Sequence, residues 1–595
     1  MPSPSPTGSF CREEALRRLK DEEFDLLVIG GGITGAGVAL DAAARGLRTA
    51  LVERHDFASG TSSKSSKLVH GGLRYLQQRE FRLVYEGLRE RQHLLENAPH
   101  LVTRLPFLIP LFGNDGAVSS GIARAFATAL WLYDKTGGVK IGQRHQRIDR
   151  EQALDHLPTL NAEHLVDGFL YWDARADDAR LTLTIARTAA LDHGAVVANY
   201  AEVTSLLRNA KGRICGARVL PAIPHRRPSD EIEIRSKLVV NATGVWADEV
   251  RAMDEGANPR SLRPAKGIHI TVPRAKLPAD IAAVLPTSDH RSIFVVPWSD
   301  GDDVYLGTTD TDWNGSLDDP ACLPEDVDYI LDAANSAFTV RLTREDITGV
   351  WAGLRPLLAP ERGNHIRART ADLSRRHSVR VSDDRLVTVT GGKLTTYRLM
   401  AEDTVDTAVK LLGSSVPRST AKCPTRNLSL HGGNSRVVDD LRRLAATVDL
   451  GMDRAGLEAL IARHGSETPE ILSLANEDAE LLSPLVPGLP YLRVEALWAV
   501  QNEMAMTLDD VLSRRTRAVL RQAKAAANLA SKLADDLSTE WAIDSGSAVE
   551  EAAEWSLAVL GGLERAGLGP EHRNVHGSLR TAKIPDDCLG QEQRT

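Results

Sequence analysis

The segment FDLLVIGGGITGAGVALDAAARGLRTALVE, residues 24–53, decides the fold. Its apolar run LLVI predicts a short buried strand, which ends on Gly30, Gly32 and Gly35 in G-x-G-x-x-G spacing. AGVALDAAARG then predicts a helix, and LRTALVE predicts a second strand that ends on the acid Glu53. A strand, a glycine turn, a helix and a second strand with a terminal acid together predict a dinucleotide-binding βαβ unit.

Each part of this unit has a physical role. Gly30 permits a tight turn, Gly32 lets backbone N–H groups reach a pyrophosphate, and Gly35 lets the helix pack on the strand. We expect the carboxylate of Glu53 to accept a hydrogen bond from a ribose hydroxyl. An acid at this position favours an unphosphorylated ribose, as in NAD or FAD, over NADP.

The segment SSKSSKLVHGGLRYL at residues 62–76 combines hydroxyl, cationic and aromatic side chains with a Gly-Gly pair. Taken alone, this composition is typical of a solvated loop. Because the segment closely follows the βαβ unit, we expect it to pass beneath the same cofactor. The side chains predicted to contact pyrophosphate or ribityl oxygens are Thr61, Ser62, Ser65, Ser66 and Lys67.

Composition narrows the choice of partners. The chain of 595 residues can bury more than one core, and its net charge of −8 without a basic tract argues against nucleic acid. Its five cysteines lie far apart with no C-x-x-C pair, which suits a reducing cytoplasm. TDTDWNGSLDDPA at 309–321 has Ala321 where a calcium loop needs a glutamate, so we expect no metal site.

Two further glycine turns follow predicted strands. KLVVNATGVWADEV at 237–250 predicts a strand, a turn at Ala242, Thr243 and Gly244, and the start of a helix. VTVTGGKLTTYRLMAEDTVDTAV at 387–409 repeats this order. Between them, the apolar runs GIHITV, SIFVVPW and DVYLGTTD predict an antiparallel sheet on the substrate side.

Two longer stretches resemble the signatures of a known family. IGGGITGAGVALDAAARG at 29–46 and GGKLTTYRLMA at 391–401 resemble those of the FAD-dependent glycerol-3-phosphate dehydrogenases, which are glycine/D-amino-acid-oxidase-like flavoproteins. SSKLVHGGLRYL, NATGVW, KGIHITVP, GTTD and AGLRPL stand between them in the family's order. The resemblance extends over about residues 24–415, and residues 491–530 resemble the family's C-terminal domain.

The fold that this resemblance implies is α/β. A Rossmann-like FAD-binding domain is interleaved with an antiparallel-sheet substrate domain, and a C-terminal all-helical domain follows. The expected division is a flexible leader at 1–23, an oxidoreductase at 24–420, a helical domain at 421–545 and a tail of unknown role at 546–595. Within the oxidoreductase, the expected FAD-binding segments are 24–97, 160–262 and 345–415. The expected substrate-binding segments are 98–159 and 263–344.

The resemblance implies oxidation of sn-glycerol 3-phosphate to dihydroxyacetone phosphate. A hydride would pass from C2 to flavin N5, and electrons would then reach a quinone. Two alternatives stay open: a flavoprotein oxidase of amino acids or 2-hydroxy acids that uses oxygen, and a catalytically idle flavin-binding protein. The implied quinone and the amphipathic pattern of residues 118–133 favour a cytoplasmic protein that contacts the inner face of the cell membrane peripherally; a homodimer is left open.

The resemblance also implies the residues that bind and oxidise the substrate. The cations expected at the phosphate are Arg74, Arg355, Arg375 and Lys393, and Tyr75 adjoins the first of them. Arg355 is also a candidate for holding the forming alkoxide.

Two histidines are candidates for the general base. His70 is the first, because an imidazole titrates near neutrality and its motif is expected against the flavin. His269, in KGIHITV, is the second. The remaining expected FAD contacts are Ala242, Thr243, Gly244, Gly392, Leu394 and Thr395.

Overall fold

A computed structural model of the chain describes residues 8–73, 80–113, 120–135, 141–287, 289, 291–359, 376–417, 422–445, 452 and 454–569. The strands are β1 (Glu23–Phe24), β2 (Leu26–Ile29), β3 (Thr49–Val52), β4 (Leu68–Val69), β5 (Val102–Phe112), β6 (Gln146–Asp149), β7 (Leu165–Ala176), β8 (Val196–Ala198), β9 (Ala201–Arg208), β10 (Ile214–Pro221), β11 (Ile232–Ser236), β12 (Val239–Asn241), β13 (Leu262–Pro273), β14 (Ala282–Pro286), β15 (Ser292–Pro297), β16 (Asp303–Gly307), β17 (Thr311–Asp312), β18 (Gly349–Leu358), β19 (His377–Val381) and β20 (Leu386–Gly391).

The helices are α1 (Arg12–Asp21), α2 (Ile33–Ala44), α3 (Phe81–Asn97), α4 (Ser120–Lys135), α5 (Arg150–His156), α6 (Asp178–Leu191), α7 (Ala247–Glu255), α8 (Pro324–Ala337), α9 (Tyr397–Leu412), α10 (Ser435–Ala445), α11 (Arg454–His464), α12 (Thr468–Ser473), α13 (Arg493–Asn502), α14 (Ala518–Arg521), α15 (Ala523–Leu537) and α16 (Ser545–Arg565). A π-helical turn covers Asp510–Arg515.

A six-stranded sheet contains the βαβ unit. Its order is β19-β20-β12-β2-β3-β8, and all neighbours are parallel except β19 and β20. Every residue of β2 is buried, as its apolar sequence predicts. Because β2, β3, β12 and β20 are parallel, their carboxyl ends meet at one edge of the sheet, where α/β proteins bind ligands.

A second, larger sheet is built from strands that alternate in the sequence with those of the first. Its order is β17-β13-β16-β15-β14-β5-β7-β4, with β18 paired to β13 and β6 paired to β7. The pairs are antiparallel except β14 with β5. The antiparallel sheet predicted for GIHITV, SIFVVPW and DVYLGTTD is therefore confirmed.

The boundary between the two sheets differs from the predicted division. Residues 165–176 and 349–358 were assigned to FAD-binding segments, whereas the structure places both in the larger sheet. The reason is long-range pairing: β7 follows β5 along its length, and β18 follows β13. Neither partner is close in the sequence, so the local pattern did not indicate which sheet these strands join.

The N-terminal segment also differs from its prediction. A flexible leader was expected over residues 1–23, but α1 packs Ala15 and Leu19 into a core shared with β8 and β11. The guanidinium of Arg12 donates to the carbonyl oxygens of Asn199 and Tyr200 at 3.0 and 2.9 Å. The i, i+4 spacing of Ala15 and Leu19 gives this short helix one apolar face, which is what fixes it to the domain.

The C-terminal part of the chain is helical, as predicted. Buried ion pairs attach it to the first domain: Arg514 and Arg515 both lie 2.6 Å from the carboxylate of Asp56, and Arg180 lies 2.6 Å from Glu503. Loss of one partner would leave a buried charge unpaired and strongly destabilise the protein. These pairs therefore hold the helical domain against the oxidoreductase domain.

The region predicted as a tail of unknown role begins with a helix. In α16, Ala548 and Ala552 pack against α15, and Leu563 near its end joins the core beneath the larger sheet. This helix therefore contacts both the helical domain and the oxidoreductase domain. Residues 570–595 lie outside the described part of the chain.

The amphipathic pattern at 118–133 is a helix, α4. It buries Leu130 and Tyr133 and exposes 54% of Trp131. Among the helices that the structure describes, none has the length and apolar character needed to cross a bilayer.

Candidate active site

A cleft at the carboxyl edge of the six-stranded sheet brings the three predicted glycine turns together. One turn follows β2, another follows β12 and the third follows β20. The predicted cofactor contacts that line this cleft are Gly30, Gly32, Glu53, Thr61, Ser62, Ala242, Thr243, Gly244, Gly392 and Leu394.

Gly35 sets how closely α2 approaches the strands. A Cβ atom at this position would lie 1.9 Å from the carbonyl oxygen of Gly30 and 3.4 Å from the Cβ of Ala242. No side chain fits in that space, so α2 can begin at the cleft only with glycine here. Gly30 itself has a φ of 108°, which side-chain-bearing residues rarely adopt.

The carboxylate of Glu53 anchors the glycine turn. Its Oε2 accepts a hydrogen bond from the N–H of Gly31 at 2.6 Å, and its Oε1 accepts from the N–H of His55 at 2.9 Å. Burial raises the pKa of Glu53, because the charged form loses contact with water. Each oxygen can accept a second hydrogen bond, so the contact with a ribose hydroxyl stays a prediction.

The hydroxyl groups that follow bind protein atoms as well as lining the cleft. The Oγ of Ser62 accepts from the N–H of Ile33 at the start of α2, at 2.9 Å. Thr61 donates to the carbonyl oxygen of Leu354 at 2.6 Å, which joins the cleft to β18. Ser65 donates to the carboxylate of Asp178 at 2.7 Å and does not line the cleft.

Lys67 was predicted to contact the cofactor, but it does not line the cofactor cleft. Its ammonium is buried, donates to Asp178 at 3.0 Å and to the carbonyl oxygen of Ser63 at 3.1 Å, and lies 4.9 Å from the ring centroid of Trp351. Burial first, and then the charge of Arg517, lowers the pKa of Lys67 to about 8. The sequence did not indicate this arrangement, because Asp178 is more than a hundred residues away.

A second cavity, of about 210 Å³, adjoins the cofactor cleft. Eight residues line both spaces: Ile33, Thr61, Ser62, Pro356, Gly391, Gly392, Lys393 and Leu394. The second cavity also contains Ser66, His70, His269, Arg355 and Thr395. The candidate catalytic residues that the structure describes are therefore in one cavity beside the cleft.

His269 is buried and held on two sides. Its Nε2 lies 2.9 Å from the Oγ of Ser66, and its ring stacks on Trp351 with centroids 4.7 Å apart. Burial lowers the pKa of His269 well below the ordinary value, and Lys67 and Arg355 lower it further. The imidazole is therefore neutral at physiological pH, so it can accept a proton.

Arg355 reaches the cavity from β18. Its Nη2 donates to Thr308 Oγ1 at 3.1 Å and to the carbonyl oxygen of Thr309 at 3.2 Å, and its Nη1 lies 3.6 Å from Asp310. A Cβ on Gly267 would lie 2.5 Å from this Nη2, so the glycine leaves room for the guanidinium. The arginine is held in place, with a planar group suited to an oxyanion.

The other predicted site residues fall into two groups. His70 lines the cavity, and its backbone N–H donates to Thr395 Oγ1 at 3.1 Å. Lys393 lines both spaces. Arg74, Tyr75 and Arg375 lie outside the described residues.

Three functional neighbours were not predicted. Trp351 stacks on His269, Tyr305 donates its hydroxyl to the carbonyl oxygen of Ser66 at 3.0 Å, and Thr308 accepts from Arg355. Trp351 directly precedes AGLRPL, and Thr308 lies in GTTD. Their positions next to or within these motifs could have indicated that they lie in the site.

Comparison with known proteins identifies the family. Residues 25–406 match a family described as FAD dependent oxidoreductase, and residues 423–547 match the C-terminal domain of alpha-glycerophosphate oxidase. A glycerol-3-phosphate dehydrogenase from Mycobacterium leprae is 44% identical over 520 residues, which cover 86% of this chain and 84% of that protein. The chain belongs to the FAD-dependent glycerol-3-phosphate dehydrogenase family.

Other members agree with this assignment. An aerobic glycerol-3-phosphate dehydrogenase from Staphylococcus aureus is 36% identical over 518 residues, covering 86% of this chain and 89% of that protein. The solved structure of the glycerol-3-phosphate dehydrogenase from Bacillus halodurans, complexed with FAD, has a TM-score of 0.72 at 32% identity and covers 92% of this chain and 96% of that one. The predicted family, fold class and cofactor are confirmed.

The residues of the cleft fit FAD. Gly32, Ile33 and Thr34 at the start of α2 line it, and a helix N-terminus attracts a pyrophosphate. The buried Nε1 of Trp246, which also lines the cleft, has no hydrogen-bond partner among the described residues. An acceptor-rich cofactor would supply one.

Proposed function

We propose that the protein oxidises sn-glycerol 3-phosphate to dihydroxyacetone phosphate and passes the electrons to a quinone. The observation that supports this most directly is the cavity beside the FAD cleft, in which a neutral buried imidazole and a fixed guanidinium lie together. The relatives named glycerol-3-phosphate dehydrogenase support the same substrate.

The residues divide the work of alcohol oxidation. When bound, FAD supplies the acceptor for the two electrons and the hydrogen that leave the alcohol carbon. His269 would accept the hydroxyl proton on its neutral ring, which Ser66 and Trp351 keep in one orientation. Arg355 would stabilise the negative charge that grows on the oxygen. Lys393, together with Arg74 and Arg375, would bind the phosphate.

His70 is the second candidate for the base. It lines the same cavity, and its backbone is fixed through Thr395 on the turn after β20. Replacing His70 and His269 in turn would separate them, because only the variant of the true base should lose kcat while keeping its FAD.

A quinone acceptor fits a protein that binds a bilayer from one side. Phe81 and Tyr85 on α3 are 49% and 51% exposed, and Trp131 on α4 is 54% exposed. The buried faces of these two helices share one apolar core, so the exposed rings lie on neighbouring elements. Aromatic side chains of this kind favour the membrane interface. We expect anionic liposomes at low salt to bind the wild type and to bind the Trp131→Glu variant more weakly.

One experiment tests the substrate. The purified yellow protein is mixed anaerobically with glycerol 3-phosphate, lactate or D-alanine, and its flavin absorbance is followed. Bleaching by glycerol 3-phosphate alone supports the proposal. Bleaching by either of the other two would support an oxidase of the wider superfamily, and no bleaching would support an idle flavin-binding protein.

The acceptor is tested on the reduced protein. Rapid return of the yellow colour with a soluble quinone analogue, and slow return with oxygen, is the expected result. Faster return with oxygen, accompanied by peroxide, would contradict the quinone.

A further inference from the structure

A cavity of about 830 Å³ separates the larger sheet from the C-terminal helical domain. Strands β5 and β7, the turns after β13 and β15, helix α11 and the segment 484–491 form its walls. It has the size of a small-molecule site and lies at a domain interface, where such sites are common. The mechanism proposed above uses none of its arginines.

Three of the arginines that line this cavity have no carboxylate partner among the described residues. Arg104, Arg175 and Arg274 line it, and none of the three forms an ion pair within the described part of the chain. Of the acids that line it, Asp300 is paired with Arg463 and Arg521, Asp177 with Arg517, and Glu458 with Arg454. Among the acids that line the cavity, this leaves the exposed Asp302 to balance the charges of Arg104, Arg175 and Arg274. The cavity therefore has excess positive charge.

Arg175, which is partly buried, donates to neutral groups. Its Nη1 donates to the carbonyl oxygen of Pro297 at 3.1 Å and its Nε donates to Thr103 Oγ1 at 3.4 Å, which leaves its Nη2 without a hydrogen-bond partner among the described residues. Burial lowers the pKa of Arg175, and the nearby charge of Arg274 lowers it further. An anion in the cavity would relieve both effects.

Further hydrogen-bond donors around the cavity lack acceptors. The Nε of Arg274 and the Nε1 of Trp298 are both buried, and neither has a partner in the residues that the structure describes. A buried donor without an acceptor destabilises the protein, because it has lost its hydrogen bond to water. The cavity therefore offers both charge and donors to a ligand rich in oxygen acceptors.

We propose that this cavity binds a phosphate group, either free inorganic phosphate or the phosphate of a small phosphomonoester. A phosphate has the negative charge and the several acceptor oxygens that Arg175, Arg274 and Trp298 lack as partners. Guanidinium groups suit it because their planar fork bonds two oxygens at once. The volume leaves room for an organic group as well.

The occupied cavity would lie against the back of the active site. Tyr305 and Lys67 line it, Tyr305 donates to the carbonyl oxygen of Ser66, and the side chain of Ser66 bonds His269. Lys67 lies over the ring of Trp351, on which His269 stacks. A bound phosphate would therefore alter the field at the imidazole without entering the substrate cavity.

Binding of inorganic phosphate to the FAD-loaded protein tests the site by calorimetry at constant ionic strength, with chloride as the balancing anion. We expect two phosphates per chain, one in the substrate cavity and one here. Arg175→Met and Arg274→Met should each weaken the binding of the phosphate in this cavity about tenfold or more and leave the binding of the other phosphate unchanged. Lys393→Met should affect only the phosphate of the substrate cavity.

The controls separate this site from folding and from simple screening. Arg341→Ala removes an exposed arginine outside the cavity and should bind like the wild type. Each variant must retain its FAD and its melting temperature, and two independent arginine variants protect against misfolding of one. Glycerol 2-phosphate, run in parallel, identifies the source: tighter binding than inorganic phosphate indicates a phosphomonoester, and weaker binding indicates free phosphate.

Three results would overturn the proposal. One is a single phosphate per chain that is lost in Lys393→Met and retained in Arg175→Met and Arg274→Met. Another is a second phosphate that both Arg175→Met and Arg274→Met retain. The third is full displacement of the second phosphate by chloride at equal ionic strength, which would mean screening of surface charge.

Discussion

The imidazole of His269 lies face to face on the indole of Trp351, with centroids 4.7 Å apart and 7° between the ring planes. Lys67 lies over the same indole at 4.9 Å from its centroid. The ring of His269 is thereby fixed and kept neutral, because burial and nearby cations both disfavour its charged form.

Removing the charge of Lys67 should raise the pKa of His269. The pKa of His269 lies well below its ordinary value, and Lys67 is the second cause after burial. In Lys67→Met, we expect the acidic limb of the kcat/KM profile to move to higher pH. The measurement is the pH dependence of glycerol 3-phosphate oxidation. Lys67→Arg keeps the charge and should leave the limb near its original pH; an unmoved limb in Lys67→Met would mean that His269 is not the base.

A side chain at Gly35 should cost the protein its cofactor. The new Cβ would lie 1.9 Å from the carbonyl oxygen of Gly30, so Gly35→Ala must push α2 away from β2. The flavin-to-protein absorbance ratio of the purified variant should fall several-fold. Gly561→Ala is the matched control, because a Cβ there meets no atom within 4 Å. If Gly35→Ala binds FAD like the wild type, the start of α2 does not form the pyrophosphate site.

Local patterns predicted the parts of the site that follow strands. The turns at Gly30, Thr243 and Gly392 each stand after an apolar run, so their sequence alone placed them at carboxyl strand ends. The parallel order of those strands then brings the turns into one cleft.

Contacts between distant segments could not be predicted in this way. His269 meets Trp351 because β13 and β18 pair in a register that joins these two residues, and no local pattern specifies register between strands so far apart. Lys67 belongs to a predicted cofactor segment, but a buried carboxylate on α6 attracts its ammonium more strongly than the cleft does. Burying a lysine without its acid would be costly, which explains the difference.

His431 should make stability depend on pH. Its Nδ1 lies 3.1 Å from Asp192 and its Nε2 lies 3.3 Å from Glu467, and these hydrogen bonds raise the pKa of His431 to about 9. Because the folded pKa lies above the unfolded value, the stabilisation is complete below about pH 6.5 and is lost as the pH rises through about 9. The loss should be of the order of 2 kcal/mol, allowing for partial exposure.

Melting temperatures between pH 6 and 9.5 check this dependence. The wild type should lose more stability over that range than His431→Gln, which lacks the titrating group. His225→Gln is the control, because His225 pairs with Glu554 on the surface, where both side chains are more than half exposed. Parallel curves for the wild type and His431→Gln would show that the titration of His431 does not contribute to stability.

Arg355 should act on the reaction and not on folding. Its guanidinium is fixed by Thr308 and Thr309, and Arg355→Met should lower kcat/KM for glycerol 3-phosphate roughly 10- to 150-fold for each charge-assisted hydrogen bond lost, while the protein stays yellow. If Arg355 stabilises the growing alkoxide, the loss should appear in kcat. If Arg74 binds the phosphate equally before and during the reaction, Arg74→Ala should instead raise KM. Glycerol lacks the phosphate, so the Arg74 variant should oxidise it as poorly as the wild type does, and the Arg355 variant should be worse still. Equal losses on both substrates in Arg74→Ala, or loss of FAD from either variant, would mean that the residue supports the fold and not the substrate.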